Sequence, residues 1–143
     1  MNNGEDNIYW LLIQLANRAR HDFARISEGV YGLTTAQMQT LCLLPADSAI
    51  PMNVLSCQMS CDASNVTGIA DRLEAQGLVE RKDDPNDRRI KMLSVTTKGR
   101  TLRQRILRDL SLAQPSGLTN LTAQEREQFL RLLDKALAPP SSS

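Results

Sequence analysis

The chain has 143 residues, 41% of them hydrophobic, and a net charge of +1 at neutral pH. This size suits one domain with a single core and excludes two independent cores. No apolar run approaches the roughly 20 residues that cross a bilayer, and the acidic start "MNNGED" lacks the features of a signal peptide, so we expect a cytoplasmic protein. Cys42, Cys57 and Cys61 are odd in number, and we expect free thiols.

The first two predicted elements are helices. Apolar residues recur at helical spacing from Ile8 to about Glu28, which predicts one long amphipathic helix ending near Gly29 or Gly32. Thr34 and Gln37 have the spacing of a capping box and predict the start of a second helix. Its buried face is expected to consist of Met38, Leu41, Cys42 and Leu44.

A helix-turn-helix is predicted next. A short third helix is expected to begin after Pro51, and the tight turn "SCD" follows it. Asp62 is placed to cap a fourth helix from Ala63 to Gln76, which Gly77 ends. Two helices joined by a turn of about three residues have the spacing of this motif.

The fourth helix has two different faces. Apolar side chains at i, i+3, i+4 and i+7 predict the buried face, namely Val66, Ile69, Ala70 and Leu73. The other positions are Ser64, Asn65, Thr67, Gly68, Asp71 and Arg72. Such a polar face can enter a major groove and offer hydrogen bonds to base edges and phosphates. An ordinary solvent-facing helix is the alternative.

The segments "LVERKDD" and "IKMLSV" predict two strands, and "PNDRR" joins them as a hairpin. A strand pair after a helix-turn-helix forms a wing, whose tip can meet the minor groove or its phosphates. Arg88, Arg89 and Lys91 are the candidate DNA-contacting cations, and Asp87 can hold a neighbouring guanidinium through a bidentate pair. The alternative is a solvated turn that neutralises its own charge.

Positive charge is concentrated around this hairpin. The segment from Val79 to Arg108 contains ten basic and four acidic residues, a net charge of +6. A local basic stripe on a nearly neutral chain is typical of contact with phosphate. For the part beyond Gly99, an arginine-rich solvated helix face is the favoured interpretation.

Two further helices are predicted at the C-terminal end. Thr96 or Thr97 can cap a fifth helix to about Leu112, and Thr122 with Glu125 forms a capping box for a sixth. The apolar face of the sixth helix comprises Phe129, Leu130, Leu132, Leu133, Ala136 and Leu137. This face is wide for one small domain, so we expect a homodimer that buries it, with cover by the chain's own first helix as the alternative. A disordered tail is expected over 139–143.

The stretch from Cys61 to Arg100 resembles the signature of the MarR family of bacterial transcriptional regulators, with "RLE-x-x-GLVER", "DP-x-DRR" and "T-x-KG" in order. The resemblance implies a mainly α fold with a small β-hairpin wing. The implied domain is a single winged helix-turn-helix over 1–138, with a DNA-binding core at 34–96 and dimerisation helices at 8–30 and 97–138. Two positions depart from the family pattern: Cys61 replaces an aliphatic residue, and Gly68 weakens helix propensity by about 1 kcal/mol relative to Ala.

The resemblance also implies a function. It predicts a sequence-specific double-stranded DNA-binding regulator that recognises a near-palindromic operator as a dimer, a repressor released by a small aromatic effector or by a thiol oxidant. Ser64, Asn65 and Thr67 would lie on the DNA-facing helix, and Asp87, Arg88 and Arg89 in the wing. The angle between the first, second and fifth helices is the expected effector pocket, with Trp10, Ile13, Asn17, Met38 and Leu41 as candidates.

Other functional classes have weaker support. No catalytic constellation accompanies His21, the single histidine, and Cys57 and Cys61 lack the second Cys/His pair of a metal site, so neither an enzyme nor a cofactor is expected. A winged-helix protein-interaction module is one alternative. A thiol-based redox sensor that uses Cys57 and Cys61 is another, although a buried Cys is more often a small hydrophobic residue.

Overall fold

A computed structural model describes residues 7–139. The chain divides into two compact units: a central unit, Phe23–Ala113, and a terminal unit that combines Met1–Asp22 with Gln114–Ser143. The predicted core at 34–96 lies within the central unit, together with all of the fifth helix. The expected tail over 139–143 lies, apart from Pro139, outside the described residues.

The helices of the central unit start where the sequence predicts them. Helix α1 (Ile8–Tyr31) begins in the terminal unit and ends in the central unit, where Gly32 follows with a left-handed φ of +62°. Helix α2 (Thr35–Leu43) starts at the predicted capping box, because the Thr34 hydroxyl accepts from the Gln37 amide and the Gln37 side chain accepts from the Thr34 amide. The backbone N–H groups of Thr34 and Gln37 therefore both have hydrogen-bond acceptors within the chain.

The helix-turn-helix is formed by α3 (Met52–Met59) and α4 (Ala63–Ala75). Ser60 turns the chain through the left-handed region, with φ of 51°, which non-glycine residues adopt only rarely. The Asp62 carboxylate then caps α4 by accepting from the Asn65 amide at 3.0 Å. The predicted cap thus fixes the first residue of the helix that carries the polar face.

The wing is part of a three-stranded antiparallel sheet. Strands β2 (Val79–Asp83) and β3 (Lys91–Val95) form the predicted hairpin, with Arg81 opposite Leu93. A third strand that the sequence did not predict, β1 (Ile50–Pro51), pairs with the other edge of β3. Two residues, one of them Pro, are too few to show a strand periodicity. The extra strand attaches the wing to the segment before α3.

Helix α5 (Thr97–Leu112) starts at Thr96, whose hydroxyl accepts from the Gly99 amide at 3.1 Å. A Cβ atom on Gly99 would lie 1.9 Å from the Leu78 carbonyl oxygen, so only glycine allows this close approach. The core of the central unit is aliphatic and continuous across these elements. It consists of Leu33, Met38, Leu41, Leu44, Leu55, Val66, Ala70, Leu73, Leu78, Val79, Leu93, Val95 and Ile106.

The terminal unit contains the first part of α1, a 3₁₀ helix (Ser116–Leu118) and α6 (Ala123–Leu137), which starts at the predicted capping box of Thr122 and Glu125. The Ser116 amide donates to the Asp22 carboxylate at 2.7 Å. Several large apolar side chains of this unit are more than half exposed, namely Ile8, Tyr9, Trp10, Leu11, Leu12, Leu130, Leu132 and Leu137. Within residues 7–139, no helix is long and apolar enough to span a membrane.

Candidate nucleic-acid interface

The exposed face of α4 carries the polar side chains that the sequence placed there. Val66, Ala70 and Leu73 are buried, while Ile69 and Gly68 are partly buried. Ser64, Asn65, Thr67 and Arg72 are exposed. No atom comes within 4 Å of a Cβ built on Gly68, so this glycine lowers the helix propensity without an evident packing role. The open, polar side of α4 has the shape and chemistry that enter a major groove.

Hydrogen bonds distinguish the side chains of this face. The Ser64 hydroxyl donates to Asp62 at 2.9 Å, and the Thr67 hydroxyl donates to the Ala63 carbonyl at 2.9 Å. The hydrogen bond from the backbone N–H of Asn65 lowers the pKa of the Asp62 carboxyl, and the hydrogen bond from the Ser64 hydroxyl lowers it further. Within residues 7–139, the side chains of Asn65 and Arg72 have no hydrogen-bond or ion-pair partner. These two groups can therefore bind a ligand without first breaking a contact.

The wing tip is closed by local hydrogen bonds. The Asp84 carboxylate accepts from the amides of Asn86 at 2.7 Å and Asp87 at 3.2 Å. The Asp84 amide donates to the Ile90 carbonyl at 2.9 Å, and the Ile90 amide donates to the Asp87 carbonyl at 3.0 Å. Asp84 and Asp87, two of the three acids of "DDPNDRR", therefore close a tight and defined turn.

Asp87 and Arg89 form the bidentate pair that the sequence suggested. The Arg89 Nε and Nη2 atoms donate to the two oxygens of Asp87, each at 3.0 Å, and the Arg89 amide donates to the same carboxylate at 3.0 Å. The Arg89 side chain is 90% exposed, and these bonds lower the pKa of the Asp87 carboxyl, chiefly through the guanidinium. The carboxylate fixes the direction of Arg89 while leaving its outer edge open to solvent.

Other cations near the tip differ in their pairing. Lys91 pairs with Asp83 across the hairpin, and Lys82 pairs with Glu80 at 3.2 Å. Arg88 is exposed and has no partner within the part of the chain that the structure describes. The wing is therefore only partly self-neutralised, and Arg88 is its unpaired cation.

Basic residues at and after the start of α5 have structural partners. Lys98 Nζ donates to the Gln76 carbonyl at 2.8 Å, and Arg100 Nε donates to the Ala46 carbonyl at 2.9 Å. Two of the ten basic residues counted in the sequence thus hold neighbouring segments to α5. Beyond Gly99, Arg105 and Arg108 are exposed and Arg103 is partly buried, so the predicted solvated face holds for part of this stripe.

Sequence reasoning missed the contacts of Arg81. Its guanidinium binds Asp71 and Glu74, two carboxylates on the exposed side of α4. These partners lie ten and seven residues earlier in the chain and on a different element, so no local spacing marks the cluster. In the sequence, Arg81 is distinguished only as one of the ten basic residues between Val79 and Arg108.

Two depressions border the polar face of α4. One, of about 410 Å³, lies between α2 and α4 and is lined by Ala36, Gln39, Met59, Cys61, Ser64, Asn65, Gly68, Ile69 and Arg72. The other, of about 360 Å³, lies between α3, α4 and the wing and is lined by Met52, Asn53, Ala63, Val66, Thr67, Arg89, Ile90 and Lys91. Both depressions are lined in part by side chains that the sequence predicted to contact DNA.

The effector pocket expected from the sequence is wrong for two of its residues. Met38 and Leu41 have 0% exposure and belong to the core of the central unit, so their side chains offer no surface to a ligand. The same apolar periodicity marks a pocket wall and a packed core, and here it marked the core. Trp10 and Ile13 are about half exposed and Asn17 is exposed; all three lie in the terminal unit.

The three cysteines are free thiols, as expected. Cys57 is exposed on α3, whereas Cys42 and Cys61 are partly buried against the core. Burial raises the pKa of the Cys42 thiol, and nearby Arg103 opposes this effect. His21 is exposed on α1.

The fold and this surface define a winged helix-turn-helix DNA-binding regulator. The model of the MarR family matches residues 33–91. The HTH-type transcriptional regulator PrsX of Escherichia coli is 36% identical over 137 residues, which cover 90% of this chain and 80% of PrsX. The chain belongs to the MarR family and is a DNA-binding transcriptional regulator.

Solved structures agree with this assignment. A mutant of MarR from E. coli, complexed with operator DNA, has a TM-score of 0.70 at 28% identity over 94% of this chain and 97% of that chain. The structure of Bordetella bronchiseptica BpsR, described as regulated in its DNA binding by 6-hydroxynicotinic acid, has a TM-score of 0.76 at 26% identity. That match covers 97% of this chain and 99% of BpsR.

Proposed function

We propose that the protein is a homodimeric repressor that binds a near-palindromic operator in the bacterial cytoplasm and releases it when a small aromatic effector binds. In this proposal α4 enters the major groove and the wing lies on the adjacent backbone and minor groove. Ser64, Asn65, Thr67, Gly68 and Arg72 form the helix contribution. The wing contribution is Asp87, Arg88, Arg89 and Lys91.

One observation carries the DNA-binding part of the proposal. The polar face of α4 and the wing belong to one unit, and each offers a group without a partner among residues 7–139: Asn65 on the helix and Arg88 at the tip. An amide suits base edges, and a guanidinium suits phosphate or a narrow minor groove. In this proposal α4 recognises the base sequence, and the wing binds the charged backbone and minor groove.

The exposed apolar surface of the terminal unit supports a dimer. Six consecutive residues from Ile8 to Ile13 are 49% to 75% exposed, and Leu130, Leu132 and Leu137 of α6 are 56% to 81% exposed. Apolar patches of this kind usually mark an interface. A two-fold partner that buries them would also set the spacing of two α4 helices, which a near-palindromic operator requires.

The effector part of the proposal rests on BpsR and on the depression beside the wing. Ile90, Val66 and Met52 give that depression apolar walls, and the nearby Arg89 and Lys91 offer positive charge to a carboxylate. An aromatic acid bound there would compete directly with DNA. Trp10, Ile13 and Asn17 remain candidates for a second mode of binding in the terminal unit.

The test is duplex binding by the purified protein at several salt concentrations. A duplex selected from a random-sequence library is compared with a scrambled duplex of the same composition. Specific DNA binding predicts a linear fall of log affinity with log salt for both duplexes and a higher affinity for the selected one. A winged-helix module for protein partners would select no sequence from the library.

The effector test titrates salicylate-like aromatic acids into the complex with the selected duplex. Release of the duplex, measured by anisotropy, is the expected result, and Trp10 fluorescence reports ligands that bind near the terminal unit. If none of these acids releases the duplex, salicylate-like aromatic acids are excluded as effectors.

A further inference from the structure

Arg81 connects the wing with the DNA-facing helix. It lies in the middle of β2, opposite Leu93, and its Nη2 atom is 2.5 Å from Asp71 Oδ1 while its Nε atom is 3.1 Å from Glu74 Oε2. The side chain of Arg81 is 29% exposed, whereas those of Asp71 and Glu74 are 55% and 44% exposed. One guanidinium therefore bridges two carboxylates on the surface of α4.

The two carboxylates share a face with a predicted DNA contact. Asp71 follows Thr67 by four residues and Glu74 follows it by seven, and these spacings place side chains on the same side of a helix. The polar face of α4 thus continues into an acidic patch that would approach the phosphates of a bound duplex. Like charges that oppose each other across an interface weaken binding, so this patch is a liability for a DNA-binding helix.

Arg81 is poorly placed to bind DNA itself. Two of its donor nitrogens are occupied by the carboxylates, and less than a third of its side chain is exposed. The hydrogen bond to Glu74, followed by that to Asp71, raises the pKa of the guanidinium, so its charge is held in place at any working pH. Arg81 therefore acts through the two carboxylates that it binds, Asp71 and Glu74.

We propose that Arg81 is a positioning residue of the DNA interface: it holds Asp71 and Glu74 and offsets one of their two negative charges, so that the polar face of α4 can approach a polyanion, without contacting DNA itself. This inference rests on the proposed DNA binding. It separates Arg81 from Arg88, which is unpaired at the wing tip and acts on phosphate directly.

The test measures the affinity of full-length variants for the selected and the scrambled duplex at several salt concentrations. Arg81→Met keeps the apolar stem and removes the charge, and we expect affinity for both duplexes to fall on the order of tenfold with little change in salt slope. Adding Asp71→Asn and Glu74→Gln to Arg81→Met should restore the affinity to at least the wild-type level, because the cluster then carries no charge, whereas in the wild type one negative charge remains. Arg81→Lys, which keeps the charge, should retain most of it.

Arg88→Ala provides the matched control. This variant should lose affinity, and the slope of log affinity against log salt should become shallower by about one unit. Adding Asp71→Asn and Glu74→Gln should not restore its affinity. Thermal unfolding of each variant establishes that it is folded. Wild-type affinity in Arg81→Met would overturn the inference, and so would a flattened slope that the two amide substitutions fail to rescue. If the wild type itself binds no duplex, the proposed function fails instead, which is a distinguishable result.

Discussion

The Arg89 guanidinium is held by both oxygens of the Asp87 carboxylate, at 3.0 Å each, on a side chain that is 90% exposed. An exposed ion pair of this kind contributes little to stability. Its effect is on geometry: the guanidinium points in one direction before any DNA arrives, so less side-chain entropy is lost on binding. The acids of the wing therefore organise its cations as well as offsetting their charge.

The first prediction concerns the pKa of Asp87. The pair with Arg89 lowers this pKa from its ordinary value of 3.8, so the stabilisation is present above that value and is lost as pH falls through the folded-state pKa. Carboxyl-carbon NMR titration of the wild type and of Arg89→Ala should show the Asp87 pKa rising in the variant. Arg88→Ala serves as the control and should leave it unchanged. Equal Asp87 pKa values in wild type and Arg89→Ala would contradict the pairing.

The second prediction concerns the wing and DNA affinity. Arg88→Ala and Arg89→Ala should each weaken binding to selected and scrambled duplexes by similar factors, and each should flatten the salt slope by about one unit. Asp87→Ala should reproduce part of the Arg89 effect, because it frees the guanidinium. Lys82→Ala is the control, since Lys82 lies within β2, outside the "PNDRR" turn, and pairs there with Glu80. An unchanged affinity and slope in Arg89→Ala would mean that "DDPNDRR" is only a solvated turn.

The helix caps show which structural features could be read from the sequence. Thr34, Asp62 and Thr122 cap helices as predicted, and of the two candidates for the fifth helix it is Thr96 that caps it. A cap depends on residues within three positions of one another, so its determinants are contiguous in the sequence. The wing hairpin was predictable for the same reason.

Arg81 and Met38 show where sequence reasoning stopped. The partners of Arg81 lie on another element, and only the packing of β2 beside α4 brings the three groups together. Met38 was predicted both for the buried face of α2 and for an effector pocket at the angle between three helices, and with 0% exposure it belongs to the core. Both features depend on tertiary packing, which one sequence does not encode locally.

The third prediction concerns assembly. Leu130 of α6 is 57% exposed. Leu130→Glu should convert a micromolar dimer into a folded monomer and strongly reduce affinity for the selected duplex, because a charge cannot be buried unpaired in an apolar interface. Sedimentation equilibrium measures the mass, with Gln128→Glu, an exposed polar position on the same helix, as the control.

Deletion of Thr122 to Ser143 should have the same consequences as Leu130→Glu, since it removes α6 entirely. A truncated, folded monomer with wild-type affinity for the selected duplex would rule out the dimer as the DNA-binding form.

The fourth prediction concerns oxidation. Cys57 is exposed but Cys61 is partly buried against the core, where it serves as a small apolar residue. Mild peroxide should therefore affect the duplex affinity of the wild type and of Cys57→Ser alike. A loss of affinity confined to the wild type would instead support a thiol switch between Cys57 and Cys61.

The fifth prediction separates the reading of sequence from the reading of charge. The Asn65 side chain lies in the first turn of α4, exposed and without a hydrogen-bond partner among residues 7–139, so both its donor and its acceptor are available to a base edge. A bidentate contact with adenine discriminates by about 1–3 kcal/mol.

Asn65→Ala should therefore lose affinity for the selected duplex while its affinity for the scrambled duplex and its salt slope stay close to those of the wild type. Gln76→Ala is the matched control, because it removes an exposed side-chain amide from the C-cap position, at the opposite end of α4. Asn can also bind a phosphate oxygen, and that contact would lower affinity for both duplexes by the same factor. Equal losses on the two duplexes would assign Asn65 to the backbone and leave base recognition to its neighbours on α4.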